Sequence, residues 1–404
     1  MSALRVLHVI GGDDTGGAMS YLLPLLTALR ARDCDAHLVC LGGGGLADAA
    51  ARRDLPHTIV PMSHPWDARV LAPLRRRLTA EDWQIVQTHG MRANLPVRMV
   101  LPTIPRRPLL FTTVHSDLAL DYSSPLKSRG YALLDRASRP LVDGFCCVSG
   151  ALARGLVARG IPESRVHVVH PGIEPLAGFA PGAAPGSGAP AGAGPMRDAP
   201  EGALDPIGAP GRAPVIGTVA RLVAVKDLEL LLDAVALVVQ RVPVARAVII
   251  GDGPERAALE ARAARQDLAG RVVFLGQVVP AWPELAHVDV YALSSVSEGI
   301  PISVLEAMAM GLPVVATAVG GLPETVLEGT TGFLVQRAQV RAATAAALAR
   351  RLAELLLDPG LRRRMGEAAR KRVAEDFSSD AAGSKMVSIY TRALAASTGG
   401  RVRG

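Results

Sequence analysis

Short, near-continuous runs of Val, Ile and Leu alternate along this chain with longer segments of helical spacing. The runs LRVLHVI (4–10), AHLVCLG (36–42), HTIVPM (57–62), QIVQTHG (84–90), LLFTTVH (109–115), GFCCVS (144–149) and VHVVHPG (166–172) predict strands buried in a parallel sheet. Segments such as 17–31 and 125–139 predict helices between them. The alternation restarts with VIGTVARL (215–222), RAVIIGDG (246–253), VVFLGQV (272–278), DVYALSS (289–295), PVVATAV (313–319) and GFLV (332–335). Helices are expected near 226–241, from 254, and at 338–357, 360–376 and 379–397. The fold class is therefore α/β, with two doubly wound domains.

Between the two series the composition shifts: 28 of the 38 residues from 177 to 214 are Ala, Gly or Pro. Such a stretch buries too little surface to offset its ordering entropy, so it reads as a linker. The expected organisation is a domain at 1–176, a linker at 177–214 and a domain at 215–378. Open α/β sheets bind ligands beyond the carboxyl ends of their strands, and a cleft between two such domains is where chemistry is expected.

Composition narrows the choice. Aromatic residues make up only 3% of the chain, too few for the stacking platforms of single-strand nucleic-acid binders. The net charge of +7 suits an anionic ligand or surface, and it is too dispersed to demand nucleic acid. Cys34, Cys40 and the adjacent Cys146 and Cys147 form no CxxC motif, which favours a reducing, cytoplasmic setting without disulfides. MSALRVLHVIGG has too short an apolar run for a secretory signal.

Several constellations carry candidate chemistry. In SEGIPISVLEAMAMGLPVV (297–315), Glu298 and Glu306 stand among apolar residues. Pro301 is expected in the first turn of a helix whose N–H groups, with Gly299, Ile300, Ile302 and Ser303, would cradle phosphate oxygens. A carboxylate on that helix is costly unless something polar meets it, and sugar hydroxyls are suitable partners. Arg221 and Lys226, in GTVARLVAVKDLELLLDA, sit at a strand end and suit a diphosphate.

In GGDDTGGA (11–18), Gly16 and Gly17 would admit an anion or simply form a tight turn. No acidic residue ends the second strand, so a nicotinamide site is disfavoured. His89 and His115 each end a predicted strand, where a histidine can bond a hydroxyl or stabilise charge. Asp33-Cys34-Asp35 has a spacing seen beside metal–diphosphates, though a polar turn is the plainer reading. Arg75 to Arg77, Arg106, Arg107, Lys127 and Arg129 read as solvated ends or, more sharply, as a surface meeting anionic lipid.

Taken together, these motifs resemble glycosyltransferase family 4, retaining enzymes of the GT-B architecture. The resemblance rests on GGDDTGGA, the TH and VH strand ends, VSGALARGL (148–156), HPGIE (170–174), GTVARLVAVKDLELLLDA, VIIGDGP (248–254) and SEGIPISVLEAMAMGLPVVATAVGGLPE (297–324). It implies two Rossmann-like domains facing a cleft, with the helix at 379–397 crossing back onto the first. It implies a nucleotide-diphosphate sugar as donor, a glycan or polyprenyl-linked glycan as acceptor, no cofactor and no metal. It gives the donor diphosphate to Arg221 and Lys226, the ribose to Glu306, the sugar to Glu298 and His115, and phosphate or acceptor to Gly16 and Gly17. HPG stands where the family often has Asn before Gly. A nucleotide-sugar binder without transfer and a nucleotide-sugar epimerase remain as alternatives. Peripheral contact with the inner face of the plasma membrane would suit a lipid-linked acceptor in exopolysaccharide or envelope glycan synthesis.

Overall fold

A computed structural model describes residues 3–11, 17–64, 66–116, 125–176 and 212–401. The chain divides into two units, the first comprising Met1–Glu174 with Phe377–Gly404 and the second Pro175–Asp376. Most of the linker segment, 177–211, lies outside the described residues, as do Gly16 and the side chains of Lys127 and Arg129.

The first unit carries a seven-stranded sheet built from β1 (Leu4–Gly11), β2 (Cys34–Leu41), β3 (His57–Val60), β4 (Ile85–His89), β5 (Leu109–Val114), β6 (Gly144–Cys147) and β7 (Val166–Val168). All its pairings are parallel, in the order β3-β2-β1-β4-β5-β6-β7. Each apolar run of the sequence thus became a strand, because both faces of a parallel sheet are covered and the run need not alternate. One face packs Leu7, Val9, Val86 and Leu110 against Leu74, Ala93 and Val97 of helices Leu71–Thr79 and Met91–Val100.

The other face is covered by helix Gly17–Arg30 together with the C-terminal helix Ser379–Arg401, which pack on one another. The return of the chain to this unit explains a glycine. Ile173 N donates to Phe377 O, and Ser379 N donates to Ile173 O. A Cβ on Gly172 would lie 2.2 Å from Ser378 O, so the HPG turn is where the returning backbone passes closest.

In the second unit β8 (Val215–Val219), β9 (Arg246–Ile250), β10 (Val272–Gly276), β11 (Val290–Leu293), β12 (Val314–Thr317) and β13 (Gly332–Val335) form a parallel sheet. Its order is β10-β9-β8-β11-β12-β13. Leu228–Arg241, an amphipathic helix, packs Leu231, Leu232, Val235 and Val238 against Leu348, Leu352 and Leu355 of Arg341–Leu357. Arg212 is anchored here, its guanidinium 2.6 Å from Asp289. Among the described residues no helix is long and apolar enough to cross a membrane.

Candidate active site

Both sheets reverse their order at a switch point, between β1 and β4 in the first unit and between β8 and β11 in the second. Loops after those strands diverge and leave a crevice at the carboxyl edge of the sheet. Of the sequence-predicted site residues, Arg221 and Lys226 follow β8, Glu298 to Ile300 follow β11, Ile302, Ser303 and Glu306 lie on the next helix, His89 ends β4 and His115 follows β5.

In the second unit the loop after β8 contains Arg221 and closes through a short 3₁₀ turn, Ala224–Lys226. Helix Leu228–Arg241 begins only after it, slightly later than expected. Val296 N donates to Val225 O and Ser294 Oγ donates to Lys226 O and Asp227 O, which ties this loop to the one after β11. Across the junction Lys226 Nζ lies 2.6 Å from Glu298 Oε1, which also accepts from Ser295 Oγ at 2.5 Å. Neither spacing nor periodicity signalled this ion pair. Both groups are largely shielded from water, where a pair holds only if its hydrogen bonds are well made.

Gly320 secures the acidic loop from behind. Its φ is +55°, and a Cβ there would lie 1.8 Å from Glu298 O. Gly321 N donates to Gly299 O at 2.9 Å, and Thr317 Oγ1 donates to Ser295 O at 2.7 Å. Gly299 and Ile300 are buried. The following helix is Ile302–Ala309, and Pro301, with extended backbone, stands just before it. This corrects the first-turn expectation: Pro301 occupies the cap position, so Ile302 and Ser303 supply the first helical N–H groups. The helix ends on Gly311 (φ +79°), with Leu312 N donating to Ala307 O and Arg370 Nη2 donating to Met310 O.

Ser303 faces the sheet, where the hydroxyl of Tyr291 on β11 donates to its Oγ at 2.8 Å. Burial pushes the Tyr291 phenol up, and the carboxylates of Glu306 and Glu298 push it further. Both glutamates therefore act on one buried ring. Glu306 itself is half-buried, and its carboxylate makes no hydrogen bond or ion pair among the described residues. Burial raises its pKa to about 7. Arg221 is exposed, and its guanidinium pairs with no carboxylate among the described residues.

In the first unit Gly17 is exposed at the start of its helix. His89 ends β4, and His115 follows β5 by one residue. Their rings are joined, His89 Nδ1 to His115 Nε2, at 3.3 Å. Sequence reasoning missed the third member: His8 Nδ1 on β1 lies 3.0 Å from His89 Nε2. The signal was available, since the two-residue period puts His8 on the face of Ile10, whose register partner is His89. Burial lowers all three imidazole pKa values, to about 3 for His8 and about 4 for His115. Beside them Gln87 Nε2 donates to Thr113 Oγ1 at 2.6 Å, and the Tyr390 hydroxyl of the returning helix donates to Gln87 Oε1.

Other candidates lie elsewhere. Asp33 is in a left-handed turn, and Cys34 and Asp35 begin β2, at the amino edge of the sheet and away from the switch point. Asp35, His37 and Glu81 cluster closely enough to hold a cation, but Arg5 is bonded to Asp35 and Glu81, and Arg77 to Glu81 and His37. Two guanidinium groups already supply that positive charge. Arg77 also stacks over Trp83, so it is a structural cation and not part of a free basic surface. Arg106 and Arg107 pair with Asp82 and Asp143. Arg75 and Arg76 are the exposed members of that run.

The sequence profile described as "Glycosyl transferases group 1" matches residues 204–372, and that of "Glycosyltransferase Family 4" matches residues 15–175. The chain belongs to the family 4, group 1 glycosyltransferases. Relatives include the N-acetyl-alpha-D-glucosaminyl L-malate synthase of Bacillus anthracis, 34% identical over 44% of this chain and 45% of that protein. The GDP-mannose-dependent alpha-(1-6)-phosphatidylinositol monomannoside mannosyltransferase of Mycolicibacterium smegmatis is 34% identical over 45% of this chain and 48% of its own length. The chain thus spans about half the length of these curated relatives. Among solved structures, Alr3699/HepE of Anabaena in complex with UDP-glucose covers 96% of this chain and all of that one, with a TM-score of 0.77 and 20% identity. The two doubly wound units are those of the GT-B fold.

Proposed function

We infer that the protein is a retaining hexosyltransferase that takes its sugar from a nucleotide-diphosphate donor. The observation that carries this reading is the grouping at the second switch point. Lys226 bridges to Glu298, while Glu306, on the helix that follows, keeps a carboxyl with no partner among the described residues. A diphosphate needs cations and helix N–H groups, and sugar hydroxyls need acceptors; one loop pair offers both. The named relatives and the UDP-glucose complex support this donor class.

In this reading Arg221, Lys226 and the N-terminus of Ile302–Ala309 meet the diphosphate, and Glu306 accepts from the ribose. Glu298 presents a carboxylate to the sugar while its Oε1 is held by Lys226 and Ser295. His115 serves sugar hydroxyls. The bond from C1 to the diphosphate oxygen breaks as the acceptor oxygen bonds C1, and the acceptor proton passes to the leaving diphosphate. Negative charge builds on that leaving group, and fixed cations and N–H groups stabilise it without reorganising. This chemistry does not call for a divalent cation.

The acceptor we assign is a glycan or lipid-linked glycan of exopolysaccharide or envelope synthesis, met at an anionic membrane surface. The exposed Arg75 and Arg76 and the lipid acceptor in one relative's name support it. Purified protein offered a panel of nucleotide hexoses with glycan and polyprenyl-glycan acceptors should release nucleotide and form an α-linked product only when acceptor is present. Tight donor binding without release would make it a binding protein; an altered sugar formed from donor alone would make it an epimerase.

A further inference from the structure

The joined imidazoles of the first unit carry a consequence for how His115 can act. Each ring is neutral near pH 7, because burial depresses every pKa, and in His89 the neighbouring His8 and His115 depress it further. A neutral imidazole has one N–H and one lone pair. For both contacts, His8 Nδ1 to His89 Nε2 and His89 Nδ1 to His115 Nε2, to be hydrogen bonds, the protons must all point the same way. Only two arrangements satisfy this.

If all three protons sit on Nε2, the chain starts at His115 and ends with an N–H on His8 Nε2. That atom is buried and has no partner among the described residues. If all three sit on Nδ1, His8 Nε2 is instead a bare lone pair, and buried orphan N–H groups are the rarer defect. The second arrangement leaves the Nδ1 proton of His115 outside the chain of bonds, on a half-buried ring at the carboxyl edge of the sheet. Tyr21 fixes the plane of that ring by edge contact, with centroids 4.8 Å apart and an interplanar angle of 87°. Among the described residues, the side chains seen beside the column include Gln87, Thr113, Tyr21, Tyr390 and Cys146, none of them charged.

We propose that His8 and His89 are positioning residues that hold His115 as its neutral Nδ1–H tautomer, making it a fixed hydrogen-bond donor to a sugar oxygen. Free imidazole prefers the other tautomer, so the relay has to impose this one. His115 is then a donor that never needs to titrate, and it does not serve as a general base. The identity of the oxygen rests on the donor-sugar reading above; the tautomer does not.

The test is a long-range ¹H–¹⁵N correlation spectrum of the full chain labelled at histidine, recorded near pH 7, with His115 assigned by substitution. The expected pattern is Nδ1–H for His8, His89 and His115 in the unmodified protein. His8→Asn, whose amide can donate from nearly the same place, should keep His115 on Nδ1. His8→Asp, whose carboxylate only accepts, should draw the proton of His89 onto Nε2, move His115 towards Nε2–H and lower transfer by about tenfold, and His8→Asn should restore most of it. An Nε2–H signal for His115 in the unmodified protein overturns the proposal, as does an unchanged Nδ1–H in folded His8→Asp. If His8→Asp does not fold, the unmodified spectrum and that of His8→Asn still decide, an Nε2–H signal for His115 in either overturning the proposal. A correct tautomer in a protein that transfers no sugar would overturn the enzyme reading and leave the relay standing.

Discussion

Lys226 and Glu298 lie 72 positions apart in the chain, yet Nζ of one is 2.6 Å from Oε1 of the other. The pair joins the loops after β8 and β11, so it fixes the cation and the acidic loop together. Lys226→Ala and Glu298→Ala should each lower transfer by at least about tenfold, roughly 1.4 kcal/mol. In unfolding experiments the two changes should be non-additive by about 1–3 kcal/mol, since each single change leaves a shielded charge unpaired. Additive losses measured in a double-mutant cycle would separate the two residues.

Glu306 should behave oppositely in stability and in function. Its folded pKa is raised from 4.5 to about 7, so the folded state resists losing that proton. The ligand-free protein is unburdened below about pH 4.5, loses stability as the pH rises to 7, and carries the full cost above it, about 3 kcal/mol. Glu306→Gln should therefore raise thermal stability at pH 8, leave it unchanged at pH 4.5, and lower transfer at least about tenfold. Calorimetry at the two pH values, with a transfer assay, checks both halves.

The three buried histidines predict the opposite pH trend. Their folded pKa values lie below the ordinary 6.5, so protons bind the unfolded chain first. Their contribution is intact above about pH 6.5 and is lost as the pH falls towards 4, by about 1.4 kcal/mol per pH unit for each ring. Denaturant titrations between pH 7 and 5 should show a steeper loss in the unmodified protein than in a variant with His8 and His89 replaced by Asn.

Gly320 sits in the left-handed region against the carbonyl of Glu298. Gly320→Ala should cost about 3 kcal/mol or more and displace the acidic loop. Gly17→Ala, where nothing lies within 4 Å, should change stability by less than about 0.5 kcal/mol. Parallel thermal melts distinguish the two.

Much of the architecture is legible along the chain. GFLV at 332–335 is β13 residue for residue, and the restart at Val215 is β8, because parallel strands covered on both faces need uninterrupted apolar runs. The family is legible as well, since EGIPISVLEAMAMGLPVV and GTVARLVAVKD are long enough to be specific. The glycines of VIIGDGP were visible but not their cause: Gly251 and Gly253, after β9, press on the carbonyls of Ala220 and Leu222 in the loop after the neighbouring strand β8.

What the sequence determined by itself is the series of strands and helices and the chemical inventory of its loops, since both depend on near neighbours. Which charges meet was decided only by the tertiary structure. Crossovers in a doubly wound sheet bring distant loops to one edge, pairing Lys226 with Glu298 and giving Arg77 to His37. The register of β1 on β4 did the same for His8 and His89, because parallel pairing aligns side chains that no local spacing relates.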